Sequence, residues 1–293
     1  MAERFYYGGQ AVIEGVMLRG RKTVVTVVRR PNGGLATDAR PLSAIYTGWM
    51  RRAPLIRGII VLIEAMVLGM KTLLYSASVS LEEEEEKISG GYFLVVVVIT
   101  LGLSVALFFV APLLITKLLD PYIGASLVFY LIEGLIRLAI FIAYLRLMTL
   151  MPDMKRVFAY HGAEHKVINA YEDGAPLEVD AARGYKTAHV RCGTSFLFAV
   201  LIIAILVFAL IGRPSVWLMV LSRVLLIPVI AGLGYEVIYF GGRHRNNHLV
   251  RAILAPGLWL QSLTTREPDD SQLEVALAAL NKLVEIDQSE AAT

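Results

Sequence analysis

The sequence predicts a mainly α-helical integral membrane protein. It has about four transmembrane helices and a half-inserted amphipathic helix, with a small N-terminal β module and a cytoplasmic helical segment. Three observations predict this. Mean hydropathy is +0.62, with 56% hydrophobic and only 18% charged residues, more apolar than a soluble core requires. Several apolar runs reach the roughly 20 residues that cross a bilayer. A polar stretch, 152–193, separates two pairs of such runs.

Composition also excludes some classes. A net charge of +3 is too small to argue for a nucleic-acid partner. The single cysteine, Cys192, rules out an intrachain disulfide and fits a reducing compartment. Residues 1–30 are polar, Gly-rich and dotted with arginine, unlike a signal peptide, so insertion would rely on internal apolar segments.

Residues 1–50 read as a small β-rich cytoplasmic module. Ala11–Leu18 and Thr23–Val28 are short β-branched runs, and Pro31-Asn32-Gly33-Gly34 is a turn signal. Glu14, among apolar neighbours, is either an inward-facing functional group or a strand residue on a solvated face. Residues 51–91 hold an amphipathic or re-entrant helix and an acidic linker. Within 54–78, Arg57, Glu64 and Lys71 recur every seven residues and line one helical stripe. Glu82 to Glu86 then form a solvated like-charge run.

Residues 92–151 form a transmembrane hairpin with spans at 92–115 and 123–151, the second carrying Glu133 and Arg137 four residues apart as a self-neutralising pair. Pro112 is positioned to bend the first. Residues 194–240 form a second hairpin, with spans at 195–211 and 216–240. Glu236, near its end, either joins a metal-ligand set or pairs with Arg223 or Arg243. The 241–293 region reads as cytoplasmic, opening with the basic cluster His244–His248 as a surface anchor and ending in an amphipathic helix over 271–286.

Four spans put the N-terminus, the polar central segment and the C-terminus on one side. Those regions hold nearly all Lys and Arg, while the two short loops hold only Lys117 and Arg213. The positive-inside rule places all three in the cytoplasm of a multi-pass cell-membrane protein. A fifth full span at 54–78 would expel either the basic N-terminal module or the central segment.

The chemistry concentrates in that central segment, 152–193. Pro152 and Asp153 suit a helix start and Gly174-Ala175-Pro176 a helix stop, so Tyr160-His161-Gly162-Ala163-Glu164-His165-Lys166 falls well inside the helix. His161 and His165 then sit one turn apart on one face, the spacing that hands two imidazoles to one metal ion. H-x-x-E-H is the inverted zinc-hydrolase motif, with Glu164 as its general base. His189 is the natural third ligand for a divalent ion, zinc by preference. Cys192 either ligates as well or is a small packed residue.

Gly8–Met17, Tyr160–Lys166, Arg191–Phe196 and Leu263–Pro268 together resemble the YqhQ-like family of bacterial membrane proteins, described as predicted metal-dependent enzymes. The resemblance covers almost the whole chain. It points to His161, Glu164, His165 and the His189–Cys192 stretch, and it implies no substrate.

Three functions are compatible with these residues. The first is a metal-dependent hydrolase at the cytoplasmic membrane face, with Arg191 or Lys166 steadying developing negative charge. The second is a non-enzymatic scaffold or accessory factor with a structural metal, working beside a membrane-protein partner such as translocation or insertion machinery. The third is an ion transporter using Glu64, Glu133 and Glu236, which the lack of an internal repeat disfavours. The lipid bilayer is a partner in each, and oligomeric state is left open.

Overall fold

A computed structural model describes residues 7–51, 53–81, 90–189, 192–244 and 247–292. The expected acidic linker at Glu82–Glu86 lies outside the described residues. Strands β1 (Gly8–Val12), β2 (Gly15–Arg19), β3 (Thr23–Arg29) and β4 (Leu35–Pro41) form one antiparallel sheet in sequential order. The β3–β4 hairpin turns at Pro31–Gly34 as expected, with Gly33 at φ 87°. The run Ala11–Leu18 is not one strand. It reverses at Ile13-Glu14, with Val12 paired to Gly15 and Glu14 at φ 50°.

Side chains alternate across a strand, so the sheet has two faces to cover. Val16, Leu18, Val25 and Val27 meet two helices, α6 (Pro152–Asp173) and α12 (Asp270–Ala292), through Tyr160, Val167, Leu280 and Leu283. Val12, Met17, Val24 and Val28 meet helix α2 (Ile56–Leu81) through Leu68, Tyr75 and Val79. Burial on both faces explains why β2 and β3 read as continuous apolar runs rather than alternating ones.

Helix α2 follows the four-residue helix α1 (Ala44–Thr47) and, at 26 residues, is long and apolar enough to cross a membrane. Its contacts leave little of it for that. Glu64 pairs with Arg19 and Arg51, Thr72 accepts from the Gln10 side chain, and Ser76 accepts from Ile13 N–H. From Glu64 to Val79 the helix therefore lies along the sheet for about 22 Å, leaving only its first two turns to enter a bilayer. Ile63, Met66 and Leu73, turned from the sheet, are exposed, the amphipathic arrangement of an interfacial helix.

Helices α3 (Gly90–Val105) and α4 (Ala111–Leu119) make one long apolar rod, joined by a π-turn at Ala106–Val110. Pro112 has no N–H to give the Phe108 carbonyl four residues earlier. Arg137 Nε donates to that carbonyl instead, at 3.0 Å. Arg137 belongs to α5 (Ser126–Met148), which leads into α6, the short α7 (Val179–Arg183) and then α8 (Gly193–Ile211).

The expected span at 216–240 is broken. Helices α9 (Val216–Leu225) and α10 (Ile227–Arg243) meet at 49°, where Pro228 interrupts the hydrogen-bond ladder. By length and composition, α2, the α3–α4 rod, α5 and α8 are each able to cross a membrane, and the bent pair makes a fifth candidate. Beyond α10, the 241–293 region holds two helices among the described residues. Its first helix, α11 (His248–Thr264), lies against the bundle, with Leu260 and Leu263 packed on Phe141, Leu145 and Leu201.

Glu133 and Arg137 pair as expected, and Arg223 of α9 joins them. Both Glu133 oxygens accept from Arg223, the pair Arg223 Nη2–Glu133 Oε2 at 2.6 Å, and all three residues are at most 1% exposed. The surplus guanidinium charge lies on aromatic faces, with Arg223 3.9 Å from the Phe208 ring centroid.

Candidate metal centre

Three stretches of chain converge on the middle of α6. The helix starts on Pro152, carries Asp153 in its first turn and stops at Gly174 in the left-handed conformation, φ 76°, which glycine adopts without steric cost. The 183–188 stretch runs along one of its faces. Lys166 Nζ donates to the Arg183 carbonyl, Asn169 Nδ2 to the carbonyls of Lys186 and Ala188, and His165 Nδ1 to that of Thr187. The end of α11 crosses at Gly162, where the Arg266 N–H donates to the Phe158 carbonyl and the Arg266 carbonyl approaches the glycine closely.

The imidazole tautomers follow from these contacts. A carbonyl oxygen only accepts, so His161 Nδ1 donates to Thr264 O at 2.8 Å and His165 Nδ1 donates to Thr187 O. Both Nε2 atoms are left with lone pairs. The ligand atoms of His161, His165 and Cys192 lie within 4.8 Å of one another, with His161 Nε2 3.3 Å from Cys192 Sγ. Cys192 is the N-cap of α8, and its sulfur accepts from Thr194 N–H. An Nδ1–H anchored to a carbonyl and an Nε2 left for the ion is how metal-ligating histidines are usually held. Two imidazoles and a thiol also suit zinc. The donor set fits a divalent metal.

Glu164 is 4% exposed, and its Oε2 lies 3.5 Å from His165 Nε2. It stands beside the three-atom group without belonging to it. His189, expected as the third ligand, stands outside that group as well. Gln261 grips its backbone from both sides, its ring centroid is 5.5 Å from that of His165, and its Nε2 faces Glu172 at 3.7 Å. Among the described residues the group brings together His161, His165 and Cys192, with His189 beside it.

Lys166 is buried and committed to Glu267 and the Arg183 carbonyl, so it does not steady charge at the site. Glu236 neither joins the metal group nor pairs with Arg223 or Arg243. It is held by Arg57 and by the Leu55 N–H. Glu14 bonds Arg156 through both oxygens and accepts from the Tyr160 hydroxyl, anchoring α6 from the sheet side. The Arg156 hydrogen bonds hold the Glu14 carboxyl below its ordinary range. Arg191 lies outside the described residues. Thr264, Thr187 and Gln261 work through backbone atoms or hold a backbone, a role residue type does not announce.

Residues 53–286 match the family DUF1385, described as a protein of unknown function. The chain belongs to that family. It is also 36% identical, over 295 residues, to the Bacillus subtilis (strain 168) protein named "Uncharacterized protein YqhQ", an alignment covering 96% of this chain and 93% of that one. No solved structure matches. The DUF1385 match takes in His161, His165, Cys192 and the Thr264–Glu267 crossing, while strands β1–β4 precede it.

That crossing explains one residue of the motif. A Cβ on Gly162 would stand 2.0 Å from the Arg266 carbonyl oxygen. Gly162→Ala is therefore expected to push the 264–267 segment off α6, with a destabilisation of about 1–3 kcal/mol, the usual cost of overpacking. Thermal unfolding in detergent measures it. A melting curve matching wild type would show that the segment does not pack there.

Proposed function

We propose that this chain is a metal-dependent, hydrolase-type enzyme at the cytoplasmic face of the cell membrane. The observation that carries the reading is the convergence of two carbonyl-anchored imidazoles and one thiol beside a buried carboxylate. Three protein ligands match the catalytic pattern, which keeps a position open, rather than the closed four-ligand pattern of structural sites. His161, His165 and Cys192 would hold the ion. A bound divalent ion supplies Lewis acidity and makes water a stronger acid. Glu164 takes the proton of the attacking water and returns it to the leaving group. The centre adjoins the start of α8, whose N-cap is Cys192; the positive-inside rule assigns that end to the cytoplasm, within reach of a lipid-linked ester or a membrane-protein peptide bond.

A second reading rests on a different observation. His165, Lys166 and Asn169 also fasten the 183–188 backbone to α6, as in a non-enzymatic scaffold whose metal is structural. Glu164→Gln separates the two. In the enzyme it keeps the metal and lowers hydrolysis of a panel of model esters and peptides by about 10²–10⁴-fold, the contribution of a general base. Undiminished turnover in Glu164→Gln sinks the proposed mechanism.

A further inference from the structure

On the opposite side of the sheet from the candidate metal centre, four arginines gather around two tyrosines of α10. Arg19 and Arg51 share the single carboxylate of Glu64, and Arg57 pairs with Glu236. Arg57 also lies over the Tyr239 ring at 3.7 Å, and Arg243 lies over the same ring at 4.9 Å. Tyr235, stacked on Tyr239, is within electrostatic reach of Arg51, Arg57 and Arg19. The group is thus four guanidiniums against two carboxylates, an excess of two positive charges. Burial first, and the neighbouring Arg19 second, pull the Arg51 guanidinium below its ordinary value.

The donors are also incompletely engaged. Among the described residues Arg51 bonds Glu64 through Nη1, Arg57 bonds Glu236 through Nε and Nη2, and Arg243 makes no hydrogen bond to a protein group. Around the cluster the surface turns apolar. Trp49, Leu55 and Ile56 are 70%, 48% and 40% exposed, and Arg243 ends the bent pair of apolar helices at the polar boundary. An aromatic and apolar rim beside arginines at a span's end is the composition of a membrane–water interface. The abundant anion at that depth is the phosphodiester of a lipid headgroup.

We propose that Arg51, Arg57 and Arg243 form a binding site for the phosphate of an anionic phospholipid, its acyl chains lying along the exposed apolar start of α2. Arg19, whose Nε, Nη1 and Nη2 go to Glu64, Gly20 O and Tyr46 O, positions Glu64 and through it Arg51. The site is separate from the metal centre, and its existence does not depend on the enzymatic reading.

The test titrates the full chain in detergent with phosphatidylglycerol or phosphatidylcholine and counts bound lipid by native mass spectrometry. Wild type is expected to prefer phosphatidylglycerol, and Arg243→Gln to weaken that lipid about fivefold, the weight of one arginine at an anionic interface. Arg51→Gln with Arg243→Gln should weaken it about 25-fold on the same scale, leaving phosphatidylcholine unchanged. Arg243→Gln breaks no hydrogen bond among the described residues, so it reports on the site even if the double variant folds poorly. Lys282→Gln, on α12 across the sheet, should match wild type. Equal binding of the two lipids, or wild-type phosphatidylglycerol affinity in Arg243→Gln, overturns the proposal. Displacement of the lipid by inorganic phosphate at equal concentration would overturn the lipid source in favour of a soluble phosphate.

Discussion

Purified without chelator, the wild-type chain is expected to carry close to one zinc per polypeptide by elemental mass spectrometry, and His161→Ala, His165→Ala and Cys192→Ala are each expected to lose it. The expectation rests on one ligand atom from each of His161, His165 and Cys192 converging within 4.8 Å, a three-donor set that cannot retain zinc tightly with two. Loss of an outer-shell partner typically weakens a metal site 10–100-fold, and removal of a ligand itself should cost more. His189→Ala is the discriminating control. Its Nε2 lies 3.7 Å from Glu172 and the residue is not part of the three-atom group, so the metal should stay. Loss of zinc in His189→Ala with retention in Cys192→Ala would restore the three-histidine set the sequence suggested. Absence of metal from the wild-type protein, under conditions that keep zinc soluble, would end the metalloenzyme reading.

The contrast between His189 and Cys192 shows where sequence reasoning stops. His161 and His165 share a face because helical periodicity is local, and Pro152 and Gly174 mark the helix ends in the sequence itself. Which atom of the 183–192 connection meets them is set by distant groups instead. Asn169 and Lys166 fix the backbone, and Gln261, 72 residues from His189, holds that residue aside. The sheet shows the same division. Asn32-Gly33 announces its turn, whereas Ile13-Glu14 turns with a non-glycine residue at positive φ and leaves no compositional sign. Helix α2 was ambiguous for another reason. Burial against a sheet and exposure to lipid both select apolar side chains, so hydropathy alone does not separate a span from an interfacial helix. Only the tertiary pairs of Glu64, Thr72 and Ser76 do so.

The largest loss of stability is expected from Glu133→Gln. Glu133 is the one carboxylate between Arg137 and Arg223, and all three are at most 1% exposed. Removing its charge leaves two guanidiniums facing each other in an apolar bundle, at a cost of about 3–5 kcal/mol. That is a large share of the roughly 5–15 kcal/mol that holds a folded domain. The cation–π contacts to Phe208 and Tyr130 are already made with the carboxylate in place, so they do not offset its loss. Replacing the whole cluster should cost far less, because Glu133→Leu with Arg137→Met and Arg223→Met removes the unpaired charges along with the pair. This triple variant should still fall short of wild type by about 1–3 kcal/mol, since the Phe108 carbonyl loses the Arg137 donor that stands in for the missing N–H of Pro112. Adding Pro112→Ala returns a backbone donor to that carbonyl and should recover part of the deficit. Denaturant titration in detergent of the single, triple and quadruple variants reads all three steps. A Glu133→Gln protein as stable as wild type would mean that the two arginines are solvated or otherwise neutralised. A triple variant no better than Glu133→Gln would mean that shape, rather than charge balance, holds α5 and α9 together.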